Sequence, residues 1–261
     1  MAARSIWNGT ISFGMVSIPV RLSTATQEKD ISFHMIHESC GSRVKLLKWC
    51  PKDERPVERD EIVKGYEYAK GHHVILKEED FEKLPLPTKH TIEVLQFVEQ
   101  QEIDPIYFDK TYYLEPEDVG KKPYALLLKA LTQKNVVAIG QIALRSHESL
   151  CCLRAVDGKI LLETLFYPDE IRSAPEVKAD DVQVGDKELA MASSLIDMLQ
   201  EPFEPGKYKD NYREALQSVI EAKLQGGEVK AVPEVEDAQV IDLMEALRAS
   251  VEQAKKERAK A

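Results

Sequence analysis

No run of about 18 apolar residues occurs in the chain, so no membrane-spanning helix is expected. The first residues hold one early cation, Arg4, and no apolar core of the kind a secretory leader needs, so no export signal is expected either. Cysteine is scarce. Cys40, Cys50, Cys151 and Cys152 are too few for a disulfide framework, and the last two are adjacent, which fits a reducing, cytoplasmic compartment. Catalytic signatures are missing as well: there is no G-x-S-x-G elbow, no H-E-x-x-H and no phosphate-cradling glycine loop. Gly226-Gly227 lacks the Lys-Ser/Thr that would make it a nucleotide loop, and the many carboxylates single out no acid–base pair. An enzyme, a cofactor and a membrane partner are therefore not expected.

What the chain does have is 43% hydrophobic residues over 261 positions, enough for one large domain with appendages. Its net charge of −10 is segregated. Residues 1–50 carry +3 and 121–161 carry +5, while 51–120 carry −9 and 162–206 carry −8. Such a distribution can place a positive surface on an acidic body, and phosphate binding depends on the local surface. The plain alternative is solvated charge on exposed faces.

The stretch Trp7 to Leu22 organises the N-terminal half. Gly14-Met15 suits a two-residue type II′ turn, which wants glycine first. In that register Trp7, Gly9, Ile11 and Phe13 face Leu22, Val20, Ile18 and Val16 on one side of a hairpin. Pro19 suggests a ladder position that needs no N–H donor. Ile31 to His37 and Arg43 to Trp49 are expected as strands, the second placing Arg43, Lys45 and Leu47 on one face. Val57 to Tyr68, His73 to Leu76, Thr91 to Val98 and Ile106 to Leu114 continue the β pattern, with a short helix from Glu78 to Leu84. A helix from Pro123 to Lys134 should pack Ala125, Leu128 and Leu131/Thr132. Val136 to Leu144, apolar on both faces, reads as a central strand. Asp157-Gly158 is a type I′ turn signal that pairs Ala155, Leu153 and Cys151 with Ile160, Leu162 and Thr164.

Beyond about residue 170 the pattern turns helical. After an acidic linker from Pro175 to Gly185, one helix is expected over 187–200 with Leu189, Ala192/Ser193, Ile196 and Leu199 as its stripe. A second is expected over 207–224, stopped by Gly226-Gly227, and a third over 238–256 with Val240, Leu243/Met244, Leu247 and Val251.

The opening hairpin resembles that of the prokaryotic Ku proteins, homodimeric rings that load onto broken DNA ends. Three later stretches resemble the same family: Asp60-Glu-Ile-Val-Lys-Gly-Tyr-Glu-Tyr68, Glu102-Ile-Asp-Pro-Ile-Tyr-Phe-Asp-Lys-Thr-Tyr-Tyr-Leu114 and Tyr208-Lys-Asp-Asn-Tyr-Arg-Glu-Ala-Leu216. The resemblance implies a mainly β fold with α: a Ku-type β-barrel core with a strand bridge and dimerisation arm over 1–175, a helical region over 176–227, and a linker with a terminal helix over 228–261. It implies non-homologous end joining as a homodimer on double-stranded DNA ends, with recruitment of an ATP-dependent DNA ligase.

Because the resemblance places residues 40–68 in the bridge over the duplex, Arg43, Lys45 and Lys48 become candidate phosphate contacts. Arg145 joins them, with Lys129 and Lys134 as further candidates; contacts of this kind are blind to sequence. Asp242, Leu243, Met244 and Leu247 become candidates for ligase docking, against the alternative that their helix folds back on its own core. Relatives that carry a second cysteine just after the position of Cys50 raise the possibility of zinc at His34, His37, Cys40 and Cys50. Here Pro51-Lys52-Asp53 lacks that cysteine, and no metal is expected. Some members of that family end in a long Lys-rich tail; here Lys255-Lys-Glu-Arg-Ala-Lys260 is only a short basic cluster, so internal DNA binding and bridging are not expected. The rival readings are a protein-interaction barrel without DNA binding and a lysine-based lyase, for which no desolvated lysine stands out.

Overall fold

The structure, a computed structural model, describes residues 4–84, 87–144, 147–175, 183–226 and 243–258. The chain divides into two units, residues 1–173 and 174–261.

The first unit begins with strands β1 (Trp7–Phe13) and β2 (Val16–Thr24), joined through Gly14 at φ +58° in the expected register. Two short strands follow, β3 (Trp49–Cys50) and β4 (Arg55–Pro56), then the ribbon of β5 (Lys64–Ala69) and β6 (His72–Leu76) and the short helix α1 (Glu78–Glu82). Next come β7 (Thr91–Glu99), β8 (Phe108–Pro116), the helix α2 (Lys121–Lys134), β9 (Val136–Leu144), β10 (His147–Val156) and β11 (Lys159–Leu165). Seven strands close a barrel in the order β1-β2-β8-β11-β10-β9-β7. All neighbours are antiparallel except β1 and β7, whose short parallel pairing closes the barrel.

Alternation along the strands decides what fills the barrel. Ile11, Ile18, Val20, Leu22, Ile92, Ile142, Leu153, Ile160 and Leu162 point inward and are fully buried. Gly140 is needed where β7 bulges between Val94 and Gln96: a Cβ there would stand 2.4 Å from the Glu93 carbonyl oxygen. The Asp157-Gly158 turn has φ of +48° and +74°, as a type I′ turn demands, and the β10–β11 register is the expected one. Pro19 sits just past the end of the β2–β8 ladder, which starts at Val20; its carbonyl accepts from Glu117 N–H at 3.0 Å.

Several expectations need correction. Residues 31–37 and 43–49 are not regular strands; they oppose one another through a single bridge, Ile36 to Arg43, and only Trp49 enters a ladder. These segments lack a core to lie on, and a lone two-stranded ribbon is marginal in water. Residues 57–63 form no strand, because a helical turn at Arg59–Glu61 interrupts them. β8 begins at Phe108, after a turn at Pro105–Tyr107 whose entry Asp104 caps through Ile106 N–H. α2 buries Tyr124, Leu127 and Leu131, while Ala125 is exposed. The stripe is set by Tyr124, whose hydroxyl donates to the Leu114 carbonyl at 2.9 Å and accepts from Ile160 N–H at 2.8 Å, tying the helix to β8 and β11. Cys152, on the opposite face from Cys151, is fully buried as well: the outer face of β9–β11 is covered around Val137, Ile139, Cys152 and Leu165 by Ile103, Tyr107 and Phe108.

The second unit holds α3 (Asp186–Leu199), α4 (Asn211–Leu224) and α5 (Leu243–Arg258). α4 starts four residues later than expected, where Asp210 Oδ1 accepts from Arg213 N–H, so Tyr208 lies outside it. Gly226, at φ +74°, follows its end. α3 and α5 pack together. The stripe expected on α3 is turned: Met191, Ala192, Leu195 and Met198 are partly covered, and Leu189, Ile196 and Leu199 are exposed. Residues 176–182 of the linker, and 227–242 with Val240, lie outside the described residues.

Candidate nucleic-acid interface

Between β2 and β7 the chain leaves the barrel for some sixty residues, 25–84. Almost every side chain of this arm is exposed, including the large apolar ones: Phe33 is 68% exposed, Leu46 82%, Leu47 71%, Tyr66 66% and Ile75 60%. Trp49 is exposed too, whereas Trp7 packs against the barrel core and donates through Nε1 to the Lys89 carbonyl. Backbone bonds hold the arm's shape. His37 N–H donates to Ser42 O, Val44 N–H to Met35 O and Val57 N–H to Lys48 O, all at 2.9 Å.

Arg43, Lys45 and Lys48 lie along one limb of the arm and are exposed. Residues 39–52 hold these three cations and Lys52 but no carboxylate. Among the described residues no ion pair engages any of the four. Lys52 escaped the sequence reading because it falls in the polar Pro51–Pro56 loop; the carboxylate-free run was the available signal. By contrast Arg55 is spent within the arm, forking Glu61 at 3.0 and 2.5 Å. This pair, with the Glu58 N–H that Glu61 also accepts, holds the Glu61 carboxyl down to about 2. Lys64 is similarly occupied, 3.8 Å from Glu78 and over the Phe81 ring.

The other candidates lie elsewhere. Lys129 is exposed on α2, and Lys134 ends that helix, where a cation complements the helix dipole. Arg145 lies outside the described residues. In the second unit Asp242 and the Leu243 side chain also lie outside them, while Met244 and Leu247 are partly buried on α5. Of the four residues weighed for zinc, only His37 and Cys40 come together, and no group of three possible ligands exists among the described residues.

The first unit is thus a closed seven-stranded β-barrel that carries an exposed arm, part apolar and part cationic. The model of the Ku70/Ku80 beta-barrel domain matches residues 12–191. A non-homologous end joining protein Ku of Symbiobacterium thermophilum is 46% identical over 99% of this chain and 65% of its own length. One of the same description from Frankia casuarinae is 49% identical over 95% of this chain and 63% of its own. A third, from Solibacter usitatus, is 42% identical over 99% and 97%. The chain thus spans just under two thirds of the first two relatives and nearly all of the third. The chain belongs to the Ku family.

Proposed function

We propose that this chain acts in non-homologous end joining as a homodimer, whose two arms close a ring around double-stranded DNA entered from a broken end. The observation that carries the reading is the exposed apolar arm. A surface of that extent left to water is a docking surface. Each such side chain withdrawn against a second copy would contribute about 1 to 2 kcal/mol. Two-fold closure is the commonest solution for a self-complementary patch. The unpaired cations of residues 43–52 then face phosphates rather than bases, as any sequence-blind grip requires. Encirclement also explains how a chain of net charge −10 can hold a polyanion. Arg43, Lys45, Lys48, Arg145, Lys129 and Lys134 remain the proposed contacts, with Lys52 added.

Recruitment of an ATP-dependent DNA ligase is proposed for the second unit, through Asp242, Leu243, Met244 and Leu247. Because α5 packs on α3, docking uses either the helix pair or an α5 released from it. The proposed compartment is the cytoplasm, at the nucleoid. The test is a titration of linear duplex over a salt series with wild type and an Arg43/Lys45/Lys48→Ala triple variant. Affinity should fall steeply with salt, and the triple variant should bind more weakly with a shallower salt slope. Absence of binding at low salt would overturn the DNA reading and favour a protein-interaction barrel.

A further inference from the structure

The seam that closes the barrel is shorter than the strands it joins. β1 and β7 pair only over residues 10–12 and 91–93. β1 then ends at Phe13, because Gly14-Met15 reverses the chain into β2, whereas β7 runs on to Glu99. On its other side β7 keeps its ladder with β9, from Gln96 opposite Ile139 to Glu99 opposite Val136. Among the described residues no strand and no turn hydrogen bond occupies the side of residues 95–99 that β1 has left. Such an edge presents unpaired N–H and C=O groups, and an edge that must stay bare carries a charge or a proline. Leu95-Gln-Phe-Val98 has neither, and the Leu95 and Phe97 side chains are exposed. The bulge between Val94 and Gln96 lies at the near end and leaves residues 96–99 in regular register.

Charge and shape say what the edge accepts. Residues 91–109 hold five carboxylates, Glu93, Glu99, Glu102, Asp104 and Asp109, and no lysine or arginine. All five are exposed, and among the described residues no ion pair engages any of them. Where β7 ends, a cavity of about 500 Å³ opens, lined by Glu99, Gln101, Ile103, Pro105 and Phe108 and by no cation. Apolar walls beside a carboxylate suit the aliphatic stem and charged head of a lysine or arginine. We propose that the open edge of β7 is a docking site for an extended, lysine- or arginine-bearing segment of a partner protein. The segment adds to the barrel as a strand beside residues 95–99 and places a basic side chain in the cavity. Main-chain hydrogen bonds give the affinity, while Leu95, Phe97 and the cavity select alternate side chains. The carboxylates attract a cationic segment and repel an acidic one. The same field turns away phosphates, so the edge serves a partner other than DNA. The inference rests on the barrel alone and stands or falls apart from DNA binding.

The test uses the full chain and, as probe, a capped peptide that alternates valine and lysine. Fluorescence anisotropy should show saturable binding that weakens with salt. Hydrogen exchange read by mass spectrometry should slow across residues 94–101 and stay unchanged in the arm. The same peptide with glutamate for lysine, or with every backbone nitrogen methylated, should not bind. Phe97→Lys and Glu99→Lys should each weaken binding severalfold with the barrel's circular dichroism intact. The wild-type exchange map decides the matter even where a variant fails to fold. No binding of the valine–lysine peptide at low salt, protection outside residues 94–101, or equal binding of either control peptide would overturn the proposal. So would full protection of residues 95–99 before peptide is added, since a second copy or another stretch of this chain would then fill the edge.

Discussion

Tyr124 ties three elements with one hydroxyl. It donates to the Leu114 carbonyl and accepts from the Ile160 N–H in the barrel core, and burial raises its own pKa. Tyr124→Phe leaves both backbone groups unpaired in an apolar setting and should cost about 2 kcal/mol, read by denaturant unfolding of the barrel. An unchanged midpoint would mean that water or relaxation satisfies them. Arg154 and Glu163 form a further, partly buried polar link, 3.1 and 2.5 Å across the outer face of β10–β11, with the Glu163 side chain only 8% exposed. Glu163→Gln should destabilise by about 3 kcal/mol, because it strands the Arg154 charge. These residues also mark where sequence reading failed. Periodicity on α2 named Leu131, which is buried, and Leu128, which packs partly buried against the core, but it took exposed Ala125 in place of Tyr124. The hydroxyl that fixes the phase is a tertiary contact with residues 10 and 36 positions away. In the same way, Cys151 and Cys152 alternate as expected across a strand, but the cover over Cys152 comes from distant Ile103, Tyr107 and Phe108.

At the scale of elements, the hairpins were legible because turn chemistry and alternation agree. Gly14-Met15 and Asp157-Gly158 dictate their registers locally. Strands in the arm were overread, since residues 31–37 and 43–49 have β composition but no sheet within their own chain to join. The loop between Arg55 and Glu61 is held instead by charge. Glu61, ordinarily near 4.5, sits at about 2, mainly through its hydrogen bonds with Arg55 and then the Glu58 N–H. A depressed carboxyl contributes stability above its unfolded value and loses it as pH falls through the folded one. The loop should therefore hold at neutral pH and loosen as pH drops from about 4.5 toward about 2. Titration of the Glu61 carboxyl carbon by NMR should place its midpoint near 2; an ordinary glutamate midpoint, or one unchanged by Arg55→Ala, would contradict the pairing.

For the whole molecule, the barrel was readable and the arm's purpose only partly so. An exposed apolar surface cannot be told from a core by composition, and Leu46, Leu47, Tyr66 and Ile75 acquire meaning only when they are seen to face solvent. The cationic run was legible, but which of its members would face a duplex in the proposed ring depends on a second copy, which no single sequence encodes as pattern. If the arms close a ring, light scattering should give the mass of two chains. Leu46→Glu combined with Tyr66→Glu should shift it toward one chain while leaving the barrel's circular dichroism unchanged. Encirclement is tested most directly by mobility shift on matched linear and covalently closed circular duplexes of one sequence at one salt concentration. The proposed ring binds the linear duplex, loses it when both ends are blocked, and ignores the closed circle. Equal binding to both forms would contradict threading and leave a side-on cationic patch.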